Sequence, residues 1–295
     1  MLPLTSRRDF LRHTAKGVSV AMLARSPIAR AALIEPEPLA AKFHAHDDIV
    51  LGNTGIRTSR LAMGSGTHGS GGHSNQTRLG MSAFSSLMVE GYHENGLRFF
   101  DAADQYGSHP YVAAALKELP RDKVTVMTKT NARTPEGVRA DLDRFRRELG
   151  IEHIDIVLLH CMTEPDWDTK YGGCMDVLSE AKAKGVIRAH GVSCHSLSAL
   201  RAAAKSPWVE IDLARLNPIG SNMDAGPETI VPILQQMKAD GKGVIGMKIL
   251  GQGDLREKPA EAIRYALGTG VLDAFTIGAE SQNEQNNLVQ RIAAA

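Results

Sequence analysis

From Leu61 onward the chain alternates short apolar runs with amphipathic stretches so regularly that few folds can accommodate it. Strands are predicted over Leu61–Met63, Arg98–Asp101, Val124–Thr130, Ile154–Leu159, Ile187–Val192, Val209–Leu216, Val244–Met247 and Ala274–Ile277. Helices are predicted over Ser82–Asn95, Tyr111–Leu119, Thr134–Leu149, Met175–Lys184, Leu197–Lys205, Val231–Ala239 and Pro259–Leu267, with a short last one from about Asn283. The third shows the reasoning: Val138, Leu142, Phe145 and Leu149 form one helical stripe, and Gly150 closes it. Ile154–Leu159 is apolar throughout, as a strand buried on both faces must be. Eight strands, each but the last followed by a clear helix, point to a (β/α)8 TIM barrel of the α/β class. Ahead of it, Ile49–Leu51 and Ile56–Leu61 flank Gly52-Asn53-Thr54-Gly55, a β-hairpin signal. At roughly 150 residues per domain, 295 residues suggest two domains, but one barrel takes about 250.

Charge separates a leader from this body. The formal charge is +1, yet residues 1–31 carry Arg7, Arg8, Arg12, Lys16, Arg25 and Arg30 against Asp9 alone, leaving a body of net charge −4. Ser6-Arg7-Arg8-Asp9-Phe10-Leu11, a mildly apolar stretch over Val18–Leu23 and Ala29-Arg30-Ala31 resemble a bacterial twin-arginine export signal with a small-residue cleavage site. That implies the twin-arginine machinery as a partner and a periplasmic location; a basic, frayed N-terminus is the alternative. The organisation reads as a signal at 1–31, a tether at 32–48 containing His44, His46, Asp47 and Asp48, and the barrel at 49–295. Near-zero net charge gives no footprint for nucleic acid, and no apolar run approaches the roughly 18 residues of a membrane span. Cys161, Cys174 and Cys194 fall at no metal-binding spacing.

Gly64-Ser65-Gly66-Thr67-His68-Gly69 matches G-x-G-x-x-G after a strand, so a Rossmann dinucleotide fold is a rival. The acid closing the next strand, Asp101, lies about 35 residues on rather than about 20, and Gly71 and Gly72 extend the loop away from any helix N-terminus.

Barrel enzymes draw their chemistry from the C-terminal ends of the strands. Asp101 ends the second strand, Tyr106 follows it, Lys129 ends the third and His160 the fourth. Burying Asp, Lys and His side by side is costly unless they pair. The order D-x-x-x-x-Y-G, a strand ending T-K, a strand ending L-L-H and a later G-V-S resembles the aldo-keto reductases from about Ile49 to the end. The resemblance implies hydride transfer from NADP or NAD to an aldehyde, ketone or quinone-like carbonyl. In it Tyr106 is the proton donor, Lys129 and Asp101 are its ion-paired helpers, and His160 orients the carbonyl. The residue types suit the task, since a carbonyl accepting hydride needs an acid and a polarising donor, and a cation beside a tyrosine favours its phenolate.

The same resemblance assigns nucleotide contacts to Ser193, Cys194, Arg215, Met247, Lys248, Gly278 and Glu284, with departures. Ser-Asn is usual where Ser193-Cys194 stands, and a thiol is a poor donor. Arg215 stands where glutamine is common and Met247 where a stacking tyrosine is common, while Lys248 is placed to reach phosphate. After the last strand Glu284, or Gln285 with the alignment shifted by one, takes the place of the arginine that holds an adenosine 2′-phosphate, so NADH is open beside NADPH. The loop from Cys161 to Gly173, with Trp167 and Tyr171, is expected to wall a small carbonyl substrate under an open mouth. Two other readings remain: a nucleotide-binding sensor or accessory barrel without turnover, and a Schiff-base lyase using Lys129 or Lys248.

Overall fold

The computed structural model describes residues 42–295. The twin-arginine leader and residues 32–41 of the expected tether lie outside them. Residues 43–47, read as tether, pack on the barrel: Ala45 is buried and its carbonyl accepts the Leu61 N–H at 2.9 Å. His44 and His46 stack, and Asp47 accepts the His44 N–H and pairs with Arg60.

Strands β1 (Asp48–Val50) and β2 (Arg57–Ser59) form an antiparallel hairpin. It caps the barrel floor because its turn carries two large apolar side chains, Leu51 and Ile56, both fully buried against the barrel interior. Gly52, at φ +48°, fits where a Cβ would strike the backbone of Gly241–Gly243.

Eight parallel strands close the barrel: β3 (Leu61–Gly64), β4 (Phe99–Asp101), β5 (Thr125–Thr130), β6 (Ile154–Met162), β7 (Ile187–Cys194), β8 (Ile211–Arg215), β9 (Gly243–Met247) and β10 (Ala274–Ile277), with β10 pairing back onto β3. Inside lie Phe99, Met127, Ile156, Leu158, Leu213 and Ile245, a packed core rather than a pore. Outside, a second core joins the strands to helices α1 (Asn75–Arg78), α2 (Met81–Asn95), α3 (His109–Leu116), α4 (Pro135–Leu149), α5 (Trp167–Lys170), α6 (Gly172–Ala183), α7 (Leu197–Lys205), α8 (Pro227–Ala239), α9 (Pro259–Gly268) and α10 (Gln282–Ala293). The predicted alternation is the observed one; α1 and α5, of four residues each, are the additions. Local signals set the ends: Thr134, Ser196 and Ser281 accept backbone N–H groups at N-termini, and Gly96 and Gly150 close α2 and α4 in the left-handed conformation.

The largest departure is in β6. Leu159 pairs with Val192 and Met162 with Cys194, so His160 and Cys161 together face Ser193 alone, a β-bulge. Cys161 sits at φ +58°, and its N–H donates to Ser193 Oγ at 2.9 Å.

Candidate active site

Three consecutive strand ends deliver one polar cluster. Lys129 at the end of β5 is fully buried, and its ammonium donates to Asp101 Oδ1 of β4 at 2.5 Å and to the Ala102 carbonyl at 2.8 Å. Thr276 of β10 donates to the other carboxylate oxygen at 2.9 Å. Burial pushes the lysine toward neutrality, but Asp101 and Tyr106 outweigh it and leave its pKa above the ordinary value.

The ammonium lies 4.9 Å from the centre of the half-buried Tyr106 ring, with His160 edge-on at 5.7 Å. Burial drives the Tyr106 phenol above its ordinary pKa and the Lys129 cation pulls it back. The net direction is upward, against the simpler expectation that the lysine alone sets it. Burial first, then Lys129, His195 and Arg133, hold His160 down at about 2, so the imidazole is neutral at any working pH. Its Nδ1 is sealed with no partner among the described residues, which leaves Nε2 as the ring nitrogen available to a ligand.

The glycine-rich loop holds the tyrosine. A Cβ on Gly66 or on Gly69 would overlap the Tyr106 ring, one at each edge, and a Cβ on Gly107 would overlap the Gly72 carbonyl. A Cβ on Gly64 would crowd Thr276 Oγ1 and the Gly278 nitrogen. These glycines therefore serve close packing of the loop on the tyrosine and on β10, which removes the dinucleotide-fold reading together with the closed barrel. Arg144 of α4 clamps the tyrosine turn from behind. It donates to Asp104 at 2.7 Å and is itself held by Asp141 and Glu148.

The residues assigned to the nucleotide are spread around the mouth and its wall. Ser193 is buried and its hydroxyl holds the bulge. The Cys194 thiol is buried and directed to Asp212 Oδ1 at 3.6 Å, inside the barrel wall rather than toward the mouth. Arg215 bonds His195 and lies 3.2 Å from Asp224, with its own Nε unpartnered. Met247 is buried at the end of β9, and Lys248, at φ +58°, donates to Gln252 at 2.9 Å. Burial and the Arg215 cation lower the Lys248 pKa. Gly278 packs where a Cβ would meet Thr67 and Gln76. Of the two alternatives after β10, Gln285 is buried against α2, bonding Leu87 O, while Glu284 is exposed at the N-terminus of α10 and accepts the Glu280 N–H at 2.8 Å.

One expectation fails. Trp167 is fully buried, donating to the Ala199 carbonyl at 3.2 Å and packing on Trp208, so it is core rather than substrate wall. Tyr171 stays half-buried, bonded to Glu164 beneath the Arg133 guanidinium. His195, directly after β7, was missed, although the strand-end criterion that selected His160 applies to it equally.

The sequence profile of the Aldo/keto reductase family matches residues 61–284. The chain belongs to the aldo/keto reductase family. Two relatives are an NADH-specific methylglyoxal reductase of Escherichia coli, 30% identical over 168 residues covering 49% of this chain and 51% of its own, and a D-threo-aldose 1-dehydrogenase of a Pseudomonas species, 23% identical over 61% of this chain and 64% of its own. The chain thus spans about half to two-thirds of the length of these relatives. Among solved structures, a Pseudomonas aeruginosa protein assigned to the aldo-keto reductases superposes with a TM-score of 0.71 at 17% identity, covering 86% of this chain and 98% of its own. The holo form of a Bacillus halodurans aldo-keto reductase gives 0.68 at 19%, covering 84% and 91%. This aldo/keto reductase thus has the same barrel as the solved structures.

Proposed function

We propose that this aldo/keto reductase reduces a small aldehyde, ketone or quinone-like carbonyl with a nicotinamide nucleotide, Tyr106 giving the proton. The observation that carries the reading is the Asp101–Lys129 pair set beneath the Tyr106 ring with neutral His160 at its edge. As a carbonyl oxygen takes on negative charge, the Tyr106 hydroxyl hands it a proton, and the lysine cation offsets the negative charge left on the phenol. The ammonium is fixed on Asp101, so no charge has to reorganise as the reaction proceeds. His160 Nε2–H, donating to the same oxygen, directs its other lone pair toward Tyr106. Because Lys129 is held as an ammonium rather than a free amine, it does not suit a Schiff base.

The donor set suits a dinucleotide. Lys248, its ammonium bonded to Gln252, offers a cationic donor just after β9, beside the half-buried Arg215 at the end of β8. When bound, the reduced nucleotide supplies the hydride. Glu280 and Glu284, two exposed carboxylates at the start of α10, suit ribose hydroxyls and repel a 2′-phosphate, which favours NADH. The leader is proposed to deliver the folded barrel to the periplasm, with fractionation of tagged full-length chain as its test.

The deciding experiment compares wild type with Tyr106→Phe over a panel of small aldehydes, ketones and quinones, with nucleotide binding followed by fluorescence. The variant is expected to bind NADH normally and to lose roughly 100-fold or more in kcat. Equal turnover by the variant refutes the proton-donor role, and a wild type that binds nucleotide but reduces nothing favours the sensor reading.

A further inference from the structure

Next to the reacting cluster the bulge brings a second imidazole to the mouth. His195 lies edge-to-face with His160, ring centres 6.3 Å apart, and its backbone N–H is anchored on the Met162 carbonyl at 2.7 Å. Its side chain is oriented by a relay. Arg215, backed by the buried Asp224, donates to His195 Nδ1. A guanidinium has only donors, so Nδ1 presents a lone pair and the ring proton is on Nε2. That N–H meets the Cys161 sulfur at 3.6 Å, a thiol that is a weak acceptor. An ion pair in the barrel wall is thus arranged to aim a single N–H at the mouth, where its partner in the structure is one that an oxygen would readily displace.

The oxygen in question is not the reacting one. A carbonyl oxygen has two lone pairs, and Tyr106 and His160 account for both. The N–H of His195 therefore requires a second oxygen close to the first. We propose that His195, its tautomer fixed by Arg215, selects substrates bearing a carbonyl or hydroxyl oxygen on the carbon next to the reacting carbonyl: 2-oxoaldehydes, vicinal diketones and hydroxycarbonyls. This rests on the carbonyl-reductase reading above and narrows it to a substrate class. No atom of the proposed contact reacts, so His195 is a specificity residue.

Substrates matched in carbon number isolate the second oxygen: methylglyoxal against propanal, and hydroxyacetone against acetone. Wild type is expected to favour the oxygen-bearing member of each pair in kcat/KM by roughly 10-fold or more, the worth of one good hydrogen bond. His195→Leu is expected to erase that preference while leaving propanal turnover and NADH affinity unchanged, and His195→Gln, which keeps a donor, to restore part of it. A wild type without preference, an equal loss on both members of a pair, or a loss of NADH affinity in His195→Leu would overturn the proposal; the last outcome would place His195 on the nucleotide instead. If wild type reduces neither member of a pair, the carbonyl-reductase reading fails separately. The selectivity is then decided by calorimetric binding of 2,3-butanedione against 2-butanone to NADH-loaded wild type and His195→Leu, where equal affinities refute it.

Discussion

Asp212 on β8 is fully buried, touches the Cys194 thiol through one oxygen and leaves Oδ2 without a partner. Burial raises its pKa from 3.8 to about 7, and the neighbouring Asp224 adds to the rise while Cys194 and Lys242 oppose it. Below about pH 3.8 the carboxyl is protonated in the folded and unfolded chains alike, and nothing is lost. Above that value the unfolded chain releases the proton while the folded one keeps it until about pH 7, so stability falls as pH rises. The slope is about 1.4 kcal/mol per pH unit, which makes ~2.7 kcal/mol between pH 5 and pH 7, and the curve is flat beyond. Asp212→Asn is neutral throughout and lacks this loss. For a barrel of this size the melting-temperature gap between variant and wild type should therefore move in the variant's favour by roughly 5–10 °C from pH 5 to pH 8. Any constant cost of the new amide cancels in that difference. Thermal unfolding by circular dichroism at five pH values measures it. A gap constant to within about 1 °C would show that Asp212 is ionised in the folded barrel and that the orphan oxygen is hydrated.

Three further outcomes follow. Gly69→Ala forces the loop off the Tyr106 ring, and kcat should fall by on the order of 10- to 100-fold with NADH binding retained. Gly71→Ala, at φ +60° with open space around it, should cost ~1 kcal/mol of stability and no activity; equal activity in both variants would discount the packing argument. His160→Gln should lower kcat/KM by on the order of 100-fold without altering the shape of the pH profile, because His160 is already neutral far above its pKa of about 2. A limb near pH 6.5 in wild type that disappears in the variant would contradict this.

Asp101, Lys129 and His160 were legible as candidates because each closes an apolar strand, and in a parallel barrel that single fact fixes the end of the molecule they occupy. Trp167 was misread for the complementary reason. It lies in a loop by sequence, but Trp208 and the Ala199 carbonyl, about 30 to 40 residues away, decide that it is core. The glycine-rich loop carried a motif with a well-known phosphate-binding use, and only the Tyr106 ring lying against Gly66 and Gly69 gives its role here.

The sequence by itself determined the barrel, its hairpin floor and which strand ends carry ionisable groups, because periodicity and strand-end position are local properties of the chain. Tertiary structure alone decided the direction of the Cys194 thiol, the Cys161 bulge, the Arg215–His195 relay and the neutrality of both imidazoles. Each of those depends on burial and on charges contributed by other strands, and no single segment encodes them.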